Sequence, residues 1–413
     1  MIVEDPRTET ANGVTRFSST VIWEDHDREP FEMFFEVREN DAWRLAPSVD
    51  AFRVPAAVAA LHDGERRIAG GGPICPALFN GLSCSLRWLA RWSEAVDVPS
   101  IDMPWGCDHP ESPAQVTGAF LSGGVDSSAL LASNHDAYSP GHPLRISLGI
   151  VVVGIQRSRW VRQTRDQQFQ AVHEDLRQIE SGFGIELVPV ATNLQDIEKR
   201  GSFWSYEYQG AALAGVGHLF SPSISDLDIA STWEIGFIDR WGSHPLLDPG
   251  YGSHSLRIWH ELAHMGRLNK TRLVVSRPAL FDTLNVCNKE EAGDFNCGRC
   301  EKCLRTMLAL EALGVLHEAA TFDRMTLEPS DFGRIRILDP GLEGEYLELL
   351  DPLRMRGRED LAAVIERKIR NGRIMRRKSV ARARFETSKA RKRIRRALRR
   401  RKLTETRSAH NRM

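Results

Sequence analysis

The sequence predicts an α/β protein whose core is a doubly wound parallel sheet, and three observations support this fold class. Residues 116–121 form an apolar run that ends at Ser-Gly-Gly and passes directly into a helix-like segment. Residues 144–153 are a continuous β-rich run, typical of a strand that is buried on both faces. Strand and helix patterns then alternate to about residue 315, which favours parallel strands with helices on both faces.

The predicted elements of this core follow one another in a regular order. Strands are expected at 116–121, 144–153, 185–190, 225–231 and 273–275. Helices are expected to begin near residue 129 and to cover 163–178, 209–220 and 255–265. The carboxyl ends of parallel strands are where such sheets bind ligands, and residues 122–128 lie at one of these ends.

Four regions are expected along the chain. Residues 1–110 form an N-terminal α+β region with strands at 15–23 and 31–38, a hairpin turn around 25–28 and a helix over 78–92. Four prolines between residues 99 and 113 mark a linker to the core domain, 111–318. A C-terminal extension covers 319–366, and a basic helical tail covers 367–413.

Composition indicates a globular protein of a reducing compartment. Hydrophobic residues make up 42% of the 413, and no run approaches the length that a membrane span needs. The polar, acidic N-terminus does not resemble a secretory signal, so we expect a cytoplasmic protein. The cysteines outside the cluster described below, Cys75, Cys84 and Cys107, lack metal-ligand spacing and are expected to be buried or incidental thiols.

The segment Ser122-Gly123-Gly124-Val125-Asp126-Ser127-Ser128 carries the strongest chemical signal. A strand that turns through two glycines into a helix presents unpaired N–H groups, and the serine hydroxyls add further donors. Glycine also allows positive φ and close approach of a ligand to the backbone. The segment lacks the Lys-Ser/Thr that ends a P-loop. It predicts a site for an anion such as pyrophosphate.

The second signal is a cluster of four cysteines with the spacing C-x9-C-x2-C-x2-C: Cys287, Cys297, Cys300 and Cys303. Two C-x2-C steps allow neighbouring sulfurs to converge on one ion, and Gly298 permits the tight turn between two of them. Four thiolates close a tetrahedral structural site, for which Zn²⁺ is the first choice. An iron–sulfur cluster, redox cysteines or buried thiols stay open as alternatives.

The motif Ser122–Ser127 resembles the SGGxDS signature of the PP-loop, or N-type, ATP pyrophosphatases. The resemblance implies an adenine nucleotide α-hydrolase-like fold of the HUP type, with ATP and Mg²⁺ as cofactors. It also implies attack of a substrate oxygen on the α-phosphate, release of pyrophosphate and later attack by a nitrogen or sulfur nucleophile.

With the four cysteines and a following Leu-Arg, the chain resembles the 7-cyano-7-deazaguanine synthases in particular. The resemblance covers about 116–315 and implies that the cysteines hold zinc near the active site, with Arg305 matching an arginine of that family. Departures lie in the long N-terminal region, in the extra residue before Cys297 and in the segments around 208–212 and 244–257. We therefore expect related chemistry on a different small-molecule substrate.

These patterns predict the residues of the site. Asp126, Ser122 and Lys270 are expected to be catalytic, with Asp126 orienting magnesium or phosphate. The segment 122–128, comprising Ser122, Gly123, Gly124, Val125, Asp126, Ser127 and Ser128, is expected to surround the pyrophosphate. Weaker candidates for contacts with substrate or phosphate are 231–234, 239–240, Arg272, Lys289 and Arg305.

One competing motif occurs within the core. His260-Glu261-Leu262-Ala263-His264 fits the H-E-x-x-H pattern of zinc proteases, in which both histidines lie on one face of a helix. Histidines that pack within or on the surface of a helix are the simpler interpretation.

The net charge of zero conceals a strongly basic segment. Residues 367–402 contain nineteen Lys or Arg and one acid, for +18, which leaves the rest of the chain at −18. Such a segment can bind RNA or an anionic surface, or it can lean on the acidic remainder of the chain.

Three functions are compatible with these features. The first is an ATP-dependent ligase or synthase that adenylates a carboxylate or carbonyl oxygen and forms a C–N bond. The second is a tRNA-modifying or thiolating enzyme, and the third is a nucleotide- or RNA-binding module without turnover. A homo-oligomer stays open as well, because the sequence does not indicate an oligomeric state.

Overall fold

The computed structural model describes residues 1–93, 95, 97–106, 116–155, 164–287 and 296–379. Within them the chain forms two compact units, Met1–Leu327 and a second unit that starts at Glu328. The first unit contains one large sheet that is mostly parallel, with helices, so the predicted α/β class is confirmed.

In the described part of the first unit the sheet has eleven strands: β1 (Ile2–Val3), β2 (Arg7–Ala11), β3 (Val14–Ile22), β4 (Phe31–Arg38), β5 (Arg67–Ala69), β6 (Ser100–Asp102), β7 (Thr117–Phe120), β8 (Ile146–Val153), β9 (Glu186–Thr192), β10 (Asp226–Ala230) and β11 (Arg257–Glu261). Its order is β11-β10-β7-β8-β9-β4-β3-β1-β5-β6, with β2 paired to β3.

The strands β7 to β11 form the parallel part that positions the site. They lie in the order β11-β10-β7-β8-β9 and all pair in parallel. The order therefore reverses next to β7, the first of the five in sequence, which is the arrangement of a doubly wound sheet. A crevice for ligands is expected at this reversal, above the carboxyl end of β7.

The N-terminal strands extend the same sheet instead of forming a separate one. The predicted strands 15–23 and 31–38 are present as the antiparallel pair β3 and β4. The strand β4 then pairs antiparallel with β9, with Phe35 opposite Thr192. Residues before and after the proline-rich linker thus share one sheet.

The described α-helices of the first unit are α1 (Asp50–Asp63), α2 (Pro76–Ser93), α3 (Val125–Ala137), α4 (Arg165–Phe183), α5 (Gly201–Phe203), α6 (Gln209–Leu219), α7 (Arg267–Val275), α8 (Pro278–Phe281) and α9 (Glu301–Leu313). A short π-helix, Trp204–Tyr208, connects α5 to α6, and short 3₁₀ helices occupy Glu39–Arg44, Leu194–Ile197, Asp248–Tyr251 and Leu316–Glu318. None of the helices in the described ranges is long and apolar enough to cross a bilayer.

Two predicted elements are wrong, and both lie near the end of the core. Residues 255–265 were expected to be helical, but Arg257–Glu261 is the strand β11. Its even-numbered side chains are buried or half-buried, which is the period of two of a strand. Residues 273–275 were expected to be the last strand, but they end the helix α7. In α7 the buried residues Leu268, Thr271 and Val274 recur at helical spacing.

The second unit contains α10 (Pro340–Leu347), α11 (Leu350–Met355), a 3₁₀ turn at Pro329–Arg334 and helical residues 359–379. Arg373 donates to Glu343 at 2.7 Å, and Arg376 pairs with the same carboxylate. Residues 367–379, part of the predicted basic tail, are helical, and two arginines of this part form ion pairs within the second unit. The rest of the tail, 380–413, lies outside the described residues, and its target stays a prediction.

Candidate functional site

The loop between β7 and α3 has the strand–turn–helix form that its sequence predicts. Gly123 adopts a φ of +71°, a backbone conformation that favours glycine. Gly124 is the N-cap of α3 and makes no side-chain capping bond. The first amides of α3 are thus not used by a capping side chain, and the positive end of the helix dipole lies at the glycine turn.

The serines of this loop hold it in shape. The amide of Ser122 donates to the Ser127 hydroxyl at 3.2 Å, and the amide of Gly124 donates to the Ser122 hydroxyl at 3.3 Å. Ser122 is exposed, whereas Val125, Ser127 and Ser128 are buried. Val125 can therefore meet a ligand only through its backbone.

Asp126 lies in the first turn of α3 and is surrounded by basic groups. Its carboxylate lies 3.2 Å from the Arg267 guanidinium and 3.4 Å from the Lys270 ammonium. Burial raises the pKa of Asp126, but the charges of Lys270, Arg267 and Arg305 outweigh this effect and hold the pKa below its usual value. The Asp126 side chain is 27% exposed, so part of it faces solvent.

The predicted residue Lys270 is brought to the loop, although it is buried. Its side chain is 1% exposed and donates to the carbonyl of Ser231 at 2.6 Å. Ser231 directly follows β10, and Asp126 lies in the helix that follows β7. Lys270 therefore connects the segments that come after these two neighbouring strands. This geometry suits a residue that positions Asp126 and Ser231 better than one that reaches out to a departing phosphate.

The helix α9 supplies two further cations. Burial and the neighbouring Arg305 lower the pKa of Lys302, while Asp126 acts in the opposite direction. Arg305 pairs with Glu301 at 3.3 Å and lies 5.9 Å from the ring centre of Trp233. The site thus combines four basic side chains with two carboxylates, an excess of positive charge that an anionic ligand would neutralise.

Sequence reasoning missed Arg267 and Lys302. Arg267 follows Gly266, the N-cap of α7, and was hidden because this region was expected to be a loop before a strand. Lys302 lies between two cysteines of the cluster, and nothing in the metal motif indicates that this side chain belongs to the site.

Of the weaker candidates for substrate or phosphate contacts, some lie at the site around Asp126 and others do not. Ser231 and Trp233 contact the site through Lys270 and Arg305. Arg272 is exposed and hydrogen-bonds to Asn269, and Arg240 donates to the carbonyl of Trp92 at 2.6 Å. Neither joins the cluster around Asp126. Lys289 lies outside the described residues.

The four predicted cysteines converge on one point. Their sulfur atoms all lie within 4.8 Å of one another, with 4.0 Å between Cys287 and Cys300 and 3.9 Å between Cys297 and Cys303. Four thiolates at the usual Zn–S distance of 2.3 Å form a tetrahedron with edges of about 3.8 Å. The cluster therefore fits a single tetrahedral ion, and these sulfur separations are far too long for disulfides.

Local backbone geometry also suits metal binding. Gly298 adopts a φ of +61°, which makes the predicted tight turn possible. The amide of Cys300 then donates to the Cys297 sulfur at 3.3 Å, an interaction that stabilises a thiolate. Of the remaining cysteines, Cys75 is buried and Cys84 exposed, and Cys107 lies outside the described residues.

The H-E-x-x-H interpretation is wrong. His260 and Glu261 lie on the strand β11, so their side chains point to opposite faces of the sheet. His260 is buried, and its Nδ1 lies 2.7 Å from the Asp248 carboxylate. Leu262 adopts a φ of +61° and ends the strand before His264. The segment holds the loop after β10 in place through Asp248 and is not a protease helix.

Compared with known proteins, the chain matches no protein-family model, no curated protein and no solved structure. The assignment of function therefore depends on the geometry of the site itself.

Proposed function

We propose that the chain is an ATP-dependent ligase or synthase of the PP-loop ATP pyrophosphatase type, with a HUP-type core. The observation that carries this proposal is the position of Asp126, at a helix N-terminus beside a glycine turn, among Arg267, Lys270, Lys302 and Arg305. A helix N-terminus and several cations favour a polyphosphate, and a partly exposed carboxylate favours the Mg²⁺ that accompanies it.

The proposed reaction has two steps. A carboxylate or carbonyl oxygen of a small-molecule acceptor attacks the α-phosphorus of ATP, and the bond to the β-phosphate oxygen breaks to release pyrophosphate. Ammonia or an amine then attacks the activated carbon, forms a C–N bond and expels AMP. Mg²⁺ would neutralise the charge that develops on the leaving pyrophosphate.

Residues of the chain take distinct parts in this scheme. The first amides of α3 and the basic groups of α9 would bind the pyrophosphate, and Asp126 would face the magnesium. Lys270 would keep Asp126 ionised and hold Ser231 in position. The indole of Trp233 would form a wall of the acceptor pocket. Arg305 lies over this ring, and the ring centres of Trp233 and Trp241 are 5.8 Å apart.

The cysteine cluster would hold Zn²⁺ as a closed structural site, because all four positions around the ion are taken by sulfur. Thiolate clusters of this type persist in reducing compartments, which agrees with a cytoplasmic location.

The test of this proposal is a screen for pyrophosphate release. The metal-loaded protein is incubated with ATP, Mg²⁺, an ammonium salt and a set of metabolite carboxylates. Release that depends on one acceptor and is lost in Asp126→Ala supports the proposal. A protein that binds neither ATP nor pyrophosphate would contradict it.

A further inference from the structure

We propose that metal binding by the four cysteines and phosphate binding at the β7–α3 loop strengthen each other, with Asn296 as the positioning residue that connects the two sites. The proposal rests on the proposed function, since it requires the loop to bind pyrophosphate.

The first connection runs from the loop to the cysteines. The amide of Asn285 donates to the carbonyl of Gly123 at 2.9 Å and so supports the glycine turn from below. The side chain of Asn296 holds the residues on either side of Asn285: its Nδ2 donates to the carbonyl of Leu284 at 2.9 Å, and its Oδ1 accepts from the amide of Val286 at 2.8 Å.

Asn296 therefore connects the two chain segments that supply the first two cysteines. It directly precedes Cys297, and the segment that it holds directly precedes Cys287. Its side chain is buried, with the residue 1% exposed, and its hydrogen bonds to the described part of the chain all go to backbone groups. Such a residue positions backbone and takes no part in chemistry itself.

The second connection runs from the cysteines back to the loop through α9. Cys300 is the N-cap of this helix, and Cys303 lies in its first turn. Lys302 lies between the two cysteines, and Thr306 lies one turn later. The hydroxyl of Thr306 accepts from the Arg267 guanidinium at 3.2 Å, and Arg267 contacts Asp126.

The cysteine cluster is thus connected to the loop in two ways. One connection runs through Asn296 and Asn285 to Gly123, and the other runs through α9 and Arg267 to Asp126. A tetrahedral ion fixes the segment 284–287, which contacts the glycine turn through Asn285, relative to the helix α9, which carries Lys302. A phosphate ligand that touches both the loop and α9 gains affinity when these two walls are fixed in advance. By thermodynamic linkage, the ligand must then raise the affinity for the metal by the same factor.

The decisive experiment measures both directions in the wild-type protein. Calorimetry gives the affinity for magnesium pyrophosphate with and without zinc, and competition with a chromophoric chelator gives the zinc affinity with and without magnesium pyrophosphate. We expect each affinity to rise about tenfold, by equal factors, in the presence of the other ligand. Chelation of zinc by free pyrophosphate would lower the apparent zinc affinity, so it cannot imitate the expected result.

Two variants test the connection itself. Asn296→Ala keeps all four cysteines and the loop, so both ligands should still bind while the coupling factor falls to about threefold or less. If this variant does not fold, Thr306→Val breaks the connection on the α9 side with little change in shape. Asn269→Ala, an exposed asparagine on α7, is the matched control and should retain the full factor.

The outcomes separate the two proposals. Pyrophosphate binding that is equal with and without zinc, and zinc affinity that pyrophosphate does not raise, would overturn the coupling and leave the proposed function intact. Failure of the zinc-loaded protein to bind pyrophosphate at all would overturn both. A full coupling factor in Asn296→Ala and Thr306→Val would overturn the role of these contacts.

Discussion

The carboxylate of Asp126 and the guanidinium of Arg267 lie 3.2 Å apart, although 141 positions separate them in the sequence. This contact joins the first helix after the glycine turn to the helix that follows β11. Lys270, one turn further along α7, approaches the same carboxylate. The charge of the site is thus assembled from helices that meet at the reversal of the sheet order.

Asp126→Asn should separate magnesium binding from phosphate binding. The substitution removes the proposed magnesium ligand and frees the surrounding cations from a counter-charge. We expect the affinity for Mg–ATP to fall at least about tenfold, or 1.4 kcal/mol, while pyrophosphate without magnesium binds as well as before or better. Calorimetry with and without magnesium measures both values.

The control for this variant is Asp136→Asn, which removes an exposed carboxylate near the other end of α3. It should leave both affinities unchanged. Equal loss of affinity with and without magnesium in Asp126→Asn would mean that the carboxylate supports the loop and does not bind the metal.

Lys270→Met should destabilise the protein even without a ligand. The substitution leaves Asp126 with fewer positive neighbours and the buried carbonyl of Ser231 without its donor. Loss of one partner of a buried polar pair costs about 1–3 kcal/mol. Urea unfolding measures this, and Arg272→Met, an exposed residue on the same helix, should change stability by no more than about 0.5 kcal/mol.

The pKa of Asp228 predicts an unusual dependence of stability on pH. Burial in β10, together with the negative charges of Glu261 and Asp226, raises the pKa of Asp228 to about 8 from its ordinary value of 3.8. Between these two values the folded state holds a proton that the unfolded state has released. Stability attributable to this group therefore falls as pH rises through this range.

Asp228→Asn removes the titration while keeping the shape of the side chain. We expect the variant to gain stability over the wild type as pH rises from 5 to 7.5, by on the order of 1 kcal/mol or more. Denaturant unfolding at the two pH values measures the gain. A difference between variant and wild type that is the same at both values would contradict the raised pKa.

Cys300→Ser should remove the metal and loosen the fold. Metal analysis should find about one zinc per chain in the wild type and much less in the variant, with a lower melting temperature. Cys84→Ser, which changes an exposed cysteine outside the cluster, should keep both the zinc and the melting temperature. An iron absorbance band in the purified protein would instead favour the iron–sulfur alternative.

Much of the core could be predicted because its signals are local. The run 144–153 became β8, and the loop 122–128 became a turn with Gly123 at positive φ. The four cysteines converge as their spacing indicates, because two C-x2-C steps leave little freedom in how the sulfurs meet.

The errors and omissions arise where local patterns compete or where partners are distant. Residues 255–265 contain helix-forming residues and an apparent H-E-x-x-H motif, but burial on one side of a sheet edge makes 257–261 a strand. Because the strand ends at Glu261, the helix α7 begins at Arg267, and both Arg267 and Lys270 lie on this helix beside Asp126. Contacts such as Asp126–Arg267 and Asn296–Val286 depend on how segments meet in space, which spacing along the chain does not encode.

Titration of the zinc-loaded protein with ATP in the presence of magnesium tests the central claim most directly, with pyrophosphate and AMP as comparison ligands. We predict that ATP and pyrophosphate compete for one site, that AMP binds at least about tenfold more weakly, and that Asp126→Ala weakens Mg–ATP binding. Tight binding of AMP with none of pyrophosphate, or identical titrations for Asp126→Ala and the wild type, would contradict the account.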